Sequence, residues 1–208
     1  MTKKLILTLT CLFAASSVYA QGLKVGVVEM ESVFQEFYKT IKAELTLQQQ
    51  TKIYKEYAVG LEKEVEERQN QANQLRDDSL NLVYSEGVRQ QKREEAQRIY
   101  LLIQDKRTEL REYQNEKKQK LRLDYEKSRA DLVEEIAKIV QEEAQRRGLD
   151  LVLDSSGKTL NGIPAFIYFR KDMDFTASII ETLNAGNHKV LEELKAQSAA
   201  LRSTDSQR

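Results

Sequence analysis

The sequence predicts a mainly α protein with a small β body: a long antiparallel helical hairpin, a coiled-coil arm, inserted in a small oligomerising β-rich domain. Three observations predict it. The 208 residues include 33 Lys+Arg and 33 Asp+Glu but only eight Gly and one Pro, a composition that suits long helices better than a globule. From Glu29 to Arg147 there is no proline, and the stretch is rich in Glu, Gln, Lys, Arg and Leu, the strong helix formers. Short β-branched runs flank it on both sides, so the halves of a β body meet only if the helical text between them doubles back.

The first twenty residues read as an address. Met1-Thr-Lys-Lys puts two positive charges ahead of the apolar run Leu5 to Ala15, and Val18-Tyr-Ala20 has a small-x-small form. This is the pattern of a secretory signal cleaved after Ala20. Its apolar core falls short of the ~20 residues a membrane span needs. Cys11 sits in mid-run rather than after a small-residue box, which argues against a lipoprotein. Cleavage removes Cys11, Lys3 and Lys4, leaving 31 positive against 33 negative residues and no cysteine. Disulfides and Cys-based zinc clusters are thereby excluded.

Residues 22–32 and 148–185 make up the expected body. Leu23-Lys-Val-Gly-Val-Val28 and Leu149-Asp-Leu-Val-Leu-Asp154 read as strands, and Ala165-Phe-Ile-Tyr-Phe169 as the strongest strand of all. Gly148 is a helix stop. Ser155-Ser-Gly157 and Asn161-Gly-Ile-Pro164 read as turns. Asp174 is expected to cap a short helix that carries Phe175, Ile179, Ile180 and Leu183 on one side. Residues 186–208 form an extension, partly helical or disordered, in which Val190, Leu191, Leu194 and Leu201 suit a short amphipathic helix before a polar tail.

Residues 33–147 form the expected arm. A single straight helix of about 115 residues would reach ~170 Å at ~1.5 Å per residue and would hold the body halves apart. Turn and cap residues Asp77, Asp78, Ser79, Asn81, Ser85 and Gly87 interrupt the middle. The tip is therefore placed at 77–87, with Ser85 capping the returning helix. Tyr54, Ala58, Leu61, Val65, Arg68, Ala72 and Leu75 step by four and three, a weak heptad seam. On the returning arm Ile99, Leu110, Leu121 and Leu132 recur every eleven residues, accompanied by Ile103, Gln114, Tyr125 and Ile136. That period keeps a seam nearly parallel to the axis. Richer apolar clusters stand at the root, Val33, Phe34, Phe37, Tyr38, Ile41 and Leu45 opposite Leu132, Val133, Ile136, Ile139 and Val140. This surplus, beside a body too small to enclose a core alone, predicts oligomerisation there.

Charge is uneven. Glu62 to Glu86 holds three positive and seven negative residues, whereas Arg89 to Arg129 holds thirteen positive and eight negative. Opposite charges pairing across the hairpin account for much of this. A basic surface that attracts anionic clients or an anionic lipid surface is the functional reading. Nucleic acid is excluded as a partner by the absence of a recognised motif or stacking aromatics in a sheet. No catalytic, cofactor-binding or metal site is expected. His188 is the only histidine, and no phosphate loop or metal-ligand spacing occurs. The pairs Glu66-Glu67, Glu94-Glu95 and Glu134-Glu135 diverge by about 100° on a helix and are solvated charges rather than acid/base dyads.

Lys24-Val-Gly-Val-Val-Glu-Met30 with Val33-Phe34, then Gly148-Leu-Asp-Leu-Val-Leu-Asp154, then Asp174-Phe-Thr-Ala-Ser-Ile-Ile180, in that order around a long helical insertion, resemble the OmpH/Skp family over residues 23–184. The resemblance implies a jellyfish-like homotrimer, with a shared β body and helical-hairpin tentacles around a cavity. It also implies a periplasmic location and an ATP-independent holdase that binds unfolded outer-membrane proteins and keeps them soluble for delivery to outer-membrane assembly. The chain is more acidic than the family's best-known member, and residues 185–208 extend past the usual family end. Candidate client contacts are Leu82 and Tyr84 at the tip and Tyr54, Tyr57, Tyr100 and Tyr113 along the shafts. Lys117, Lys118, Lys120 and Arg122 join them from the densest basic stretch. The alternative is a structural or adaptor protein with a periplasmic helical hairpin. Such adaptors usually need larger flanking β domains than the roughly 60 residues after the hairpin here.

Overall fold

The computed structural model describes residues 22–205; the expected signal sequence, residues 1–20, lies outside them. Strand β1 (Val25–Val28) leads into helix α1 (Met30–Glu36), α2 (Tyr38–Leu80) and α3 (Glu86–Arg147). Strand β2 (Leu151–Asp154), α4 (Thr176–Asn184) and α5 (His188–Asp205) follow. The two strands pair in parallel, Val25 against Leu151 through Val28 against Asp154. Parallel neighbours require a crossover connection, and here the whole helical hairpin is that connection. The fold is thus mostly helical, a long hairpin rooted in a two-stranded body.

Close packing secures the strand pair. A Cβ on Gly26 would stand 2.6 Å from Leu149 Cδ1 and 2.7 Å from Phe175 Cε1, so only glycine lets Leu149 and the start of α4 lie on β1. The Asp150 carboxylate accepts from the Lys24 N–H at 2.8 Å. Gly148 ends α3 in the left-handed region at φ 63°. Its N–H and that of Leu149 return to the Ala144 carbonyl, satisfying carbonyls that a helix end otherwise leaves orphaned. Beneath the strands lies one core. Val33, Phe34 and Phe37 meet Leu132, Ile136 and Val140 of α3 and Phe175, Ile179 and Leu183 of α4. Ile136 and Ile179 are fully buried.

Phe37 breaks the helical run, with φ −73° and ψ 126°, between α1 and α2. No proline or glycine marks the position. The break is held from 147 residues away by Asn184, which is 1% exposed. Its Oδ1 accepts from the Tyr38 N–H at 2.9 Å, and its Nδ2 donates to the Glu36 carbonyl at 3.0 Å. The side chain replaces the backbone partners that a continuous helix would have supplied.

Two expectations fail locally, and the C-terminal extension takes the helical of its two alternatives. Residues 165–169 are not a strand. The loop from Ser155 to Arg170 makes only an isolated bridge between Lys158 and Pro164, and Ile167 and Tyr168 are 88% and 83% exposed. β propensity needs a strand edge to pair with. One edge of β1 holds β2, the Phe175 N–H donates to the Val27 carbonyl at 3.0 Å on the approach to α4, and residues 165–169 make no bridge to the outer edge of β2. The C-terminal extension is helical through Asp205, and α5 packs on α2, with an ion pair from Lys195 to Glu36 at the end of α1 at 3.6 Å. Asn187, Leu191, Leu194, Ser198 and Leu201 are its half-buried stripe, a four-three spacing that turns one face to a partner helix. Finally, Gln114 and Tyr125 of the eleven-residue set are exposed, and Tyr113, Lys117, Asp124 and Ser128 are half-buried instead. Tyr125 faces outward at 44% exposure.

Candidate functional site

The hairpin is the part of the molecule built to present surface. At ~1.5 Å per residue its 43-residue α2 and 62-residue α3 are about 65 and 93 Å long. The tip between them spans residues 81–85. Asn81 shapes it by accepting the Val83 N–H on Oδ1 at 3.0 Å, and Ser85 occupies the N-cap position of α3 without a side-chain cap bond. Leu82 and Val83 are 83% and 87% exposed there. Tyr84 stands under the Lys92 ammonium, 5.0 Å from its ring centroid.

Below the tip the seam is thin. Ala72, Ile99 and Ile103 form its distal core with Val65, Leu75 and Tyr100 against them. Tyr100 belongs to that packing, and its hydroxyl lies 3.2 Å from Asn73 Oδ1. Ala58 and Leu61 continue the buried seam on α2. On α3, no side chain between Ile103 and Leu132 is buried, about 42 Å of helix at ~1.5 Å per residue. Here Tyr54, Tyr57 and Tyr113 gather, with ring centroids 6.3 and 4.6 Å from Tyr113. The Lys117 ammonium lies over Tyr54 and Tyr113 at 5.6 and 5.2 Å. A hydrogen bond to Glu116, with desolvation opposing it, holds the Lys117 ammonium above its ordinary pKa; the two tyrosines add smaller increments. Lys118, Lys120 and Arg122 do not join this cluster. Lys120 pairs with Asp124 at 3.2 Å and Arg122 with Glu126 at 2.9 Å, one turn along α3. Lys118 is exposed.

The charge arrangement differs from the cross-hairpin pairing expected. Lys92–Asp78 at 2.8 Å and Lys106–Glu64 at 3.8 Å do span the two helices. The dense basic stretch is instead neutralised mostly along its own helix. Such exposed i,i+4 pairs contribute only ~0.3–0.5 kcal/mol each, so they leave the arm no stiffer than its apolar seam makes it.

Two features escaped sequence reading. A cavity of about 400 Å³ opens between the roots of α2 and α3, beside Phe34. The body loop exposes Leu160, Ile163, Ile167 and Tyr168 together. The unusual β propensity of 165–169 was the available signal for the second. The first had none, because a cavity between two periodic helices depends on their separation.

No group of three or more His, Cys, Asp or Glu side chains among the described residues has metal-binding geometry. No described helix is long and apolar enough to cross a membrane. A split β body joined through a long, thinly packed hairpin with apolar side chains along its outer faces defines a protein that contacts others by extended surface. The chain belongs to the OmpH-like outer membrane protein family, whose description it matches over residues 24–183. At the level of that family it is a periplasmic chaperone of outer-membrane proteins rather than an enzyme. Comparison with curated proteins finds no match. Helix α5 lies wholly beyond the matched residues.

Proposed function

We propose that the protein is an ATP-independent holdase of the periplasm, secreted by a cleaved signal, that keeps unfolded outer-membrane proteins soluble until assembly. One observation supports this most: large apolar side chains stand exposed at intervals along the hairpin. Ile53, Tyr57, Val59, Leu101 and Leu123 on the shafts are each half or more exposed, and Leu82 and Val83 crown the tip. Each is too isolated to form a stable interface, but many modest contacts on one client add through effective concentration. A barrel precursor in transit displays apolar strands with unpaired edges, the surface such contacts would cover.

In this reading Tyr57, Leu82 and Tyr84 face the client, and Tyr54, Tyr113 and Lys117 form a half-exposed aromatic platform beside them. Tyr100 serves the seam more than the client. Lys118, Lys120 and Arg122 flank the platform as long-range attraction for acidic segments; the ion pairs of Lys120 and Arg122 weaken the case for an anionic lipid surface. The body is a homotrimer in which Leu160, Ile163, Ile167 and Tyr168, exposed in one chain, meet a neighbouring copy. A segment with strong β propensity that is unpaired in its own chain gains a strand edge there. An adaptor role is the second reading, and no particular observation favours it.

The deciding experiment dilutes a denatured outer-membrane barrel protein from urea into buffer with the mature chain and no ATP, and follows light scattering. Suppression of aggregation near equimolar trimer is expected. Unchanged aggregation at several-fold excess refutes the holdase.

A further inference from the structure

We propose that α5 is a detachable clasp on the arm. Seated, it fixes the root of α2 to the body across the helix break at Phe37. Released, it lets α2 pivot at that break. No part of α5 lies within the matched family residues, 24–183.

The body encloses its core without α5. The buried members come from β1, α1, α3 and α4, with Phe37 at the break, and none from α5. What α5 covers lies elsewhere. Ile41 and Leu45 are 9% and 4% exposed yet belong to neither buried cluster. At about 100° per residue they point about 150° around α2 from Thr40, Ala43 and Leu47, which line the space shared with α3. Burial of the face turned away from α3 needs another element, and after α3 it is α5 that makes the most extensive contact with α2. Its stripe of Leu191, Leu194, Ser198 and Leu201 is half-buried in return. One further contact falls on the other side of the break: Lys195 reaches Glu36, the last residue of α1, at 3.6 Å. The clasp therefore touches both α1 and α2, and the break lies between them.

Seat and linker both suit release. No side chain of α5 among the described residues is buried, and Lys195 and Glu36 are each about half exposed, so the contact is shallow on the α5 side. Gly186, at φ 76°, joins α4 to α5 in a conformation that glycine takes without strain. Elements with few buried apolar contacts open locally well before a domain unfolds. The lower arm has little else to steady it. α2 has no buried side chain from Thr46 to Tyr57, and α3 has none from Gln104 to Asp131, so little apolar packing resists a shift of one against the other. Phe37 already has extended backbone, φ −73° and ψ 126°, and a few such residues absorb the rotation of a hinge. The Asn184 bonds to Tyr38 and Glu36 sit at the pivot and are kept.

The mature chain has no cysteine, so Lys55→Cys and Glu142→Cys place one spin label on α2 beyond the break and one at the body end of α3, both at exposed positions. Pulsed electron resonance then reads the spread of the distance between them, with labelled chain diluted in unlabelled chain. Release is forced in two ways. Leu191→Glu with Leu194→Glu puts charge into the apolar seat. Lys195→Glu sets like charges together at Glu36 and leaves the seat intact, which keeps the test open should the double variant misfold. The distance distribution should widen about twofold in the double variant and less in Lys195→Glu, while hydrogen exchange rises about tenfold over 190–201, about threefold over 41–47, and stays unchanged over 132–140 and 176–183. In the unaltered chain residues 190–201 should exchange about tenfold faster than 176–183. Equal exchange of those two segments in the unaltered chain overturns detachment. An unchanged distance distribution once 190–201 exchanges faster overturns the clasp. Exchange rising equally over 132–140 makes α5 part of the body core and overturns it as well. If neither variant speeds exchange over 190–201, the contacts assigned to the seat are wrong and the proposal falls.

Discussion

Replacing Asn184 by leucine tests how the body holds the arm. The substitution keeps side-chain bulk but leaves two backbone groups without their partners, the Tyr38 N–H and the Glu36 carbonyl, now bonded at 2.9 and 3.0 Å. A buried group left unpaired costs ~1–3 kcal/mol. The two are not equally exposed to that cost. The Thr40 hydroxyl, without a partner among the described residues, is placed four residues on to take over the Glu36 carbonyl. The Tyr38 N–H has no such substitute, so the expected destabilisation is about 2–3 kcal/mol. That corresponds to roughly 30- to 150-fold easier local opening, at ~1.4 kcal/mol per factor of ten. Hydrogen exchange read by mass spectrometry over residues 37–42 measures it directly, without assuming that the whole chain unfolds in one step. Asn184→Asp, which keeps an acceptor for Tyr38, should fall between wild type and leucine. In a Thr40→Val background the cost of Asn184→Leu should rise, because the rescue is gone. Less than a threefold change in exchange for Asn184→Leu would refute the idea that this side chain holds the break.

Two other expectations are simpler. Hydrogen bonding from Arg93 and then the charge of Arg89 hold the Glu86 carboxyl below its ordinary value of 4.5. The folded pKa is depressed, so this contribution to the start of α3 is fully present above pH 4.5 and is lost as pH falls through the lowered value; carboxyl chemical shifts on acidification check it, and a midpoint at or above 4.5 refutes it. For the shared body, gel filtration with light scattering at micromolar concentration should return one discrete oligomer of three chains, and a stable monomer would refute the role given to the exposed 160–168 loop.

The fold class was legible because helical periodicity and composition are properties of consecutive residues. Ala58, Leu61, Val65, Ala72 and Leu75 lie on the seam that their four-three spacing predicts, and Gly148 takes the positive φ that a helix stop there requires. Of the candidate contacts, Tyr57, Leu82, Lys118, Lys120 and Arg122 lie exposed. Tyr54, Tyr113 and Lys117 form a cluster that no one-dimensional pattern announces, since α2 and α3 must first be set in register. Tyr100 looked like its neighbours in the text yet packs into the distal core.

What the amino-acid order determined by itself is local: where helices run, which stripe of each is apolar, and that the strand text is split in two. Those follow from backbone propensity and from the period of side chains on a helix. What only the tertiary structure decided depends on groups far apart in the chain reaching one another. Asn184 breaks the helix at Phe37 because its amide arrives from α4, and Phe166 to Phe169 remain a loop because the folded chain does not bring them alongside the outer edge of β2. The Thr40 hydroxyl loses its usual acceptor to that same amide. A hydrogen-bonding group takes whichever partner the folded chain brings within about 3 Å, and sequence spacing carries no record of that distance.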